Sequence, residues 1–265
     1  MDTKKIENII QSISDPIEKS LLKRILDLVY RAQKTYSVTY TDFVDPFLLG
    51  KIKSYRLDLL GINLLSYGGL PASERQIIGL AHDEIDIEED EFPIGYLKIS
   101  VKTGIGKPLS HRDYLGAIMG LGIEREKIGD LLIQGNEAFV MTHGDILDYV
   151  LHSLDGVSRY GKVTCSTVLK EDIPHFEPEY KSINSTVLSA RADAIIATGF
   201  EISRSTVVKL IMSGRAMCNG VIITQSTAIN EGDTCTLRGH GKIKINEIGS
   251  MTKKGRTRVT IHRYI

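Results

Sequence analysis

Only three cysteines occur in 265 residues, and no two of them form a Cys-x-x-Cys pair. Cys165, Cys218 and Cys235 are too few and too far apart for a disulfide framework or a structural zinc site, which points to a reducing compartment. Long apolar runs are missing as well. Nothing approaches the roughly 20 residues that a bilayer crossing needs, so no membrane association is expected. The opening Met1-Asp2-Thr3-Lys4-Lys5 has no apolar stretch of a secretory leader, and a cytoplasmic chain is expected. Nucleotide-cradling loops are also absent: Gly104-x-Gly106-Lys107 lacks both the spacing and the Ser/Thr of a phosphate-binding loop. No cofactor and no metal are expected. Net charge is the last absence, with 33 Lys and Arg against 33 Asp and Glu.

That neutrality hides a segregation. From Lys181 to Ile265 the chain carries 13 basic residues and 5 acidic ones, so the upstream part is acidic by the same excess. One end alone therefore suits a polyanion. A hydrophobic content of 42% supports packed cores, and the length allows one large domain or two to three small ones.

The organisation follows from periodicity. Ile6, Ile9, Ile10 and Ile13 recur at helical spacing, and Asp15-Pro16 restarts a helix with an apolar stripe through Leu22, Ile25, Leu26 and Val29. The bases Lys19, Lys23, Arg24, Arg31 and Lys34 between or beyond those positions read as a solvated helix face. Asp45-Pro46 starts a further helix that runs on to Leu60. Strands are predicted at 63–67, 76–81, 95–101, 128–133, 138–141 and 162–170. Helices are predicted from Ser110 to Gly120 and over 145–154. The run Asp83–Glu91, seven acids in nine residues, reads as an exposed loop. The expectation is an α+β protein: an N-terminal helical region (1–61), a central α/β plait (62–170), a linker (171–185) and a basic C-terminal module (186–265).

That module is dense in pattern. A short helix over 190–198 ends at Gly199, and Ser203 caps a second helix, 204–212, closing at Gly214. Asn219-Gly220 is a strong hairpin signal because a type I′ turn needs φ > 0 at both central residues. Basic strands follow at 234–238, 242–247 and 256–262. Arg204 falls in the first turn of its helix, where free N–H groups and the dipole favour an anion, and Lys209 lies on the same helix. Arg215 and Arg238 flank the hairpin, and guanidinium forks suit phosphate oxygens.

Arg191-Ala-Asp193, Ser203-Arg204-Ser205, Ile211-x-x-Gly214-Arg215, Asn219-Gly220 and Gly232-Asp233 together resemble the RNA-binding domain of ribosomal protein S-four. Ala192, Ala216 and Cys218 depart from the family's usual residues at packing positions. Upstream, five blocks resemble the YlmH family of bacterial RNA-binding proteins with a C-terminal S-four domain. They are Thr41–Pro46, Gly68-Gly69, Ala72-x-Glu74-Arg75, His111–Gly116 and Leu121–Asp130, and Thr252–Arg256 matches near the end. The Gly104/Gly106 loop departs from the family pattern.

The resemblance implies a protein that binds ribosomal RNA and tRNA on the large ribosomal subunit and rescues stalled subunits that hold peptidyl-tRNA. It also implies a second RNA contact in the plait. The expected RNA-binding residues are Arg191, Ser203, Arg204, Ser205, Lys209, Arg215, Asn219, Arg238 and Lys242, with His111 and Arg112 in the plait. For the last two, phosphate binding stands beside a purely structural reading in which Asp113 pairs with an arginine. A monomer is expected, and no catalysis. His111-Arg112-Asp113 lacks the downstream Asn of a kinase loop, and His143-Gly144-Asp145-Ile146 is a helix start. The rival reading is an RNA-modifying enzyme, a pseudouridine synthase or methyltransferase, with an appended S-four domain.

Overall fold

The computed structural model describes residues 16–54, 61–71, 73–102, 109–158, 161–175 and 180–264. The expected helix at Ile6–Ile13, the helical residues after Ser54 and the Gly104/Gly106 loop lie outside them. The chain divides into two compact units, residues 1–45 with 52–175 and residues 46–51 with 176–265.

The first unit opens with α1 (Pro16–Thr35), which buries Leu22, Ile25, Leu26, Val29 and Ala32. Recurrence every three or four residues brings these onto one face, while Lys23, Arg24, Arg31 and Lys34 stay exposed. After β1 (Thr39–Tyr40) the chain passes through α2 (Pro46–Ser54), whose residues 46–51 count with the second unit, and returns as β2 (Ile62–Tyr67) and β3 (Ile77–His82). These strands make a sheet of their own in the order β1-β3-β2. The central strand β3 is buried through Ala81, so it reads as a continuous apolar run without alternation.

A second, four-stranded sheet starts at β4 (Ile94–Val101). It continues through α3 (His111–Met119), β5 (Ile128–Gln134), β6 (Glu137–His143), α4 (Gly144–Ser153) and β7 (Val163–Thr167). All pairings are antiparallel and the order is β5-β6-β4-β7, the βαββαβ arrangement of a plait. Its core joins Leu97, Ile99, Val140 and Ile128 on the strands to Tyr114, Ile118 and Val150 on the helices. The plait thus begins at Ile94 and not at residue 62. Of the two strands before it, β3 pairs on one side with β2 and on the other with β1, out of the region expected to be helical, because sheet membership depends on distant partners that local periodicity does not encode.

The second unit is a six-stranded antiparallel sheet under two helices. Its elements are β8 (Tyr180–Val187), α5 (Ala192–Phe200), α6 (Arg204–Met212), β9 (Ala216–Cys218), β10 (Val221–Ile222), β11 (Thr234–Leu237), β12 (Gly241–Met251) and β13 (Thr257–Tyr264). The order is β10-β9-β11-β12-β13-β8. Ile195, Ile196 and Phe200 of α5 and Val207 and Ile211 of α6 pack against Leu237, Ile243, Ile245, Val259 and Ile261.

Two boundaries differ from expectation. The linker drawn over 171–185 contains the last residues of a 3-10 turn (Lys170–Asp172) and, from Tyr180, strand β8, which pairs along its whole length with β13. Pro174, Pro178 and the polar composition look like a linker, but the strand is recognisable only through its partner far down the chain. Gly199 does not end α5 but sits inside it, because a Cβ there would stand 2.7 Å from the buried Ile243 Cδ1. The helix is closed by Glu201 in the left-handed region, φ 56°.

Candidate nucleic-acid interface

In the C-terminal unit a buried carboxylate organises the helix face. Asp193, in the first turn of α5, is an ion-pair partner of Arg204 through one oxygen and of Arg191 through the other, at 3.6 Å. Its side chain is 7% exposed, while those of Arg191 and Arg204 are 46% and 54% exposed. A carboxylate that deep needs compensating charge. Arg204 supplies it through a direct hydrogen bond to Oδ2, and Arg191 stands at ion-pair distance from Oδ1, which accepts no hydrogen bond among the described residues. Arg191 is the N-cap residue of α5, Arg204 the first residue of α6, and Lys209 is exposed on α6 with no partner among the described residues. A groove of about 300 Å³ beside them is lined by Thr198, Ile202, Arg204 and Arg256.

The serines between them have local work. Ser203 Oγ accepts from the Thr206 N–H at 3.2 Å, and its hydroxyl also contacts Ser205 Oγ (3.0 Å) and Thr206 Oγ1 (2.7 Å). Ser203 therefore caps the start of α6, and the Ser205 hydroxyl is engaged with that cap. Asn219 is occupied too. Its amide nitrogen donates to Asp233 Oδ1 at 2.9 Å and its oxygen accepts from the Thr234 N–H at 3.0 Å. With φ of 50° at Asn219 and 78° at Gly220 the pair forms the expected turn. Asn219 thereby locks the hairpin to the next turn, a structural role that accounts for both ends of its side chain.

Arg215 and Arg238 are joined through the backbone, the Arg238 N–H donating to the Arg215 carbonyl at 2.9 Å. They follow the buried pair Ala216 and Leu237 in register, so alternation points them away from the helices. Lys242 pairs with Thr236 on that same side and lies 5.6 Å from the Tyr264 ring centroid. The residues expected to form one surface thus fall on two, with Arg191, Arg204 and Lys209 on the helices and Arg215, Arg238 and Lys242 on the opposite face of the sheet.

In the plait, Ser110 and Asp113 form a capping box at the start of α3, with the Ser110 N–H and hydroxyl donating to Asp113 Oδ2 at 2.8 and 2.6 Å. His111 and Arg112 are exposed on the first turn, and Arg112 has no partner among the described residues. Partial burial lowers the His111 pKa from 6.5, the Arg125 charge lowers it further, and Asp130 opposes them. His111 is therefore a neutral hydrogen-bonding group at neutral pH, and the cation at this helix start is Arg112.

Sequence reasoning did not foresee the cluster behind His111. Asp130 accepts from the backbone N–H groups of Glu74 (2.6 Å) and Arg75 (3.1 Å). The Arg75 guanidinium donates to the carbonyls of Ile128 (3.0 Å) and Phe43 (2.9 Å). Arg125 donates to the carbonyls of Ile128 and Gly129. Desolvation raises the Asp130 pKa and lowers those of Arg75 and Arg125. These charged residues tie β5 to the loop before β3, which makes them braces and takes them out of the pool of RNA contacts. In the sequence Glu74-Arg75 and Arg125–Asp130 are separate motifs, and only the structure joins them. Among the described residues no cluster of His, Cys, Asp and Glu is arranged to hold a metal ion, and no helix is long and apolar enough to cross a membrane.

Comparison with known proteins adds to this geometry. Residues 18–85 match the family model "YlmH, N-terminal", and residues 88–171 match "Putative RNA-binding domain in YlmH". The second match takes in the whole plait. The chain is 27% identical over 254 residues to "Ribosome-associated protein quality control protein P2" of Bacillus subtilis (strain 168), with 93% of this chain and 95% of that protein aligned. A solved structure, "Cell division protein ylmH from Streptococcus pneumoniae", superposes with a TM-score of 0.52 at 21% identity. It covers 61% of this chain and 98% of that one, a likeness of fold.

Proposed function

Over residues 18–171 the chain is built of two YlmH-family domains, and from that premise we propose that it is an RNA-binding protein of the large ribosomal subunit. In this reading it holds ribosomal RNA and peptidyl-tRNA during rescue of stalled subunits in the cytoplasm. The C-terminal unit acts as an S-four-type RNA-binding domain, the plait supplies a second contact at Arg112, and no reaction is catalysed. The observation that carries this is the Arg191–Asp193–Arg204 arrangement. A buried carboxylate fixes the half-exposed Arg204 guanidinium by a hydrogen bond and has the half-exposed Arg191 at ion-pair distance, both at the starts of adjacent helices, with Lys209 exposed farther along α6. Fixed forks lose less freedom on meeting phosphate than mobile ones, and they meet its oxygens two at a time. The relative from Bacillus subtilis, named for ribosome-associated quality control, supports the ribosomal setting.

The test is co-sedimentation with large ribosomal subunits. Arg191→Glu combined with Arg204→Glu should remove the protein from the subunit fraction while its circular dichroism stays that of the native chain. Undiminished co-sedimentation of the folded variant would refute the reading.

A further inference from the structure

The C-terminal sheet has a face that its helices do not use. Along β12 and β13 the residues directed to the helices are apolar and buried: Ile243, Ile245, Val259 and Ile261. The alternate positions carry a different composition. Lys244 stands opposite His262, His262 opposite Ser182, and Tyr264 opposite Tyr180. The Tyr180 and His262 rings are stacked, with centroids 3.8 Å apart and planes 11° from parallel. Tyr180 remains 50% exposed. Lys242 reaches the Tyr264 ring beside them, and Arg258 is exposed farther along β13. A polar groove of about 600 Å³ continues the face, lined by Asn184, Thr186, Glu247, Ser250 and Arg258.

Two features make this more than a solvated surface. Strands β8, β12 and β13 contain a single acid, Glu247, so the mixed signs of an ordinary soluble face are missing. The stacked ring pair stands in the open next to the lysines, where burial does not require it. Flat rings beside a line of cations match a polyanion that also has flat rings to offer. A paired duplex hides its base faces, whereas an unpaired strand presents them to aromatic side chains. We infer that the open sheet face is a platform for single-stranded RNA. A base stacks on the Tyr180–His262 pair, and the adjoining phosphates run along Lys244 and Lys242 toward Arg215 and Arg238. This site is separate from the helix face that carries the proposed ribosomal role, and each can fail without the other.

The experiment measures fluorescence anisotropy of a labelled short oligouridylate and, separately, of a labelled RNA hairpin stem against the full chain. Tyr180→Ala with His262→Ala should weaken oligouridylate binding about tenfold, the loss of one stacked base, and leave the stem unchanged. Tyr180→Phe, which keeps the ring, should bind as the parent does and serves as the folding control. Lys242→Glu with Lys244→Glu should weaken oligouridylate binding, and Lys34→Glu, on the solvated face of α1, should leave it within about twofold. Parental oligouridylate binding by the folded ring-deleted variant would overturn the inference. So would displacement of the oligonucleotide by polyglutamate at matched ionic strength, which would assign the face to an acidic peptide.

Discussion

At Asp193 a carboxylate 7% exposed stands between two guanidinium groups that are about half exposed, so removing it affects position more than charge. Asp193→Ala should lower stability by about 1–2 kcal/mol, a figure kept modest because both partners are wet. It should also weaken RNA binding although the variant is more positive than the parent, and filter binding paired with thermal melts checks both effects. A simple charge count predicts tighter binding. His111 gives a pH-dependent prediction. Its pKa is lowered by burial and then by the Arg125 charge, so the unfolded chain takes up a proton before the folded one does. The resulting stability is fully present above 6.5 and declines as pH falls below that value. An NMR titration should place the His111 midpoint below 6.5, and Arg125→Gln should move it upward. Most residues of the candidate site could be picked out in the sequence by type and spacing. Their tasks could not, since Asn219, Ser203 and Ser205 use their polar atoms within the fold, and only contacts show that.

Elements were easier to read than their partners. The starts of α3 and α6 follow from Ser110 and Ser203, and the hairpin from Asn219-Gly220, because these depend on hydrogen bonds a few residues long. Strand β8 and the split between the two sheets of the first unit depend on pairing across tens of residues, which periodicity does not register. Asn219→Ala should cost about 1–3 kcal/mol by freeing the Thr234 N–H and Asp233, yet leave RNA affinity unchanged, and chemical denaturation beside a binding isotherm separates the two. The glycine pair after β2 has a comparable explanation. A Cβ on Gly68 would stand 2.4 Å from the Arg75 carbonyl oxygen, and the Gly69 carbonyl accepts hydrogen bonds from Tyr67 and Tyr96 at 2.7 and 3.0 Å. Gly68→Ala should therefore destabilise the first unit by about 1–3 kcal/mol or more, seen as a lower melting temperature. The motif is a packing device.

For the whole molecule, charge segregation sets the physical behaviour that overall neutrality conceals. If about five phosphates are neutralised, log K should fall with log salt at a slope of roughly −3.5 to −4.5, and a slope near zero would refute phosphate binding. The pairing of β8 with β13 has a further consequence for synthesis. In this unit the first strand to leave the ribosome is bonded along its length to the last one described, with both helices and four strands between them. Such long-range closure is slow, and it cannot begin until the final strand has emerged. A nascent chain halted before Thr257 would carry α5 and α6 but leave the inner edge of β8 unpaired. The C-terminal unit would thus close only once Thr257–Tyr264 had been made, and a copy halted before them would lack Val259 and Ile261, the part of the sheet core on which α5 and α6 rest.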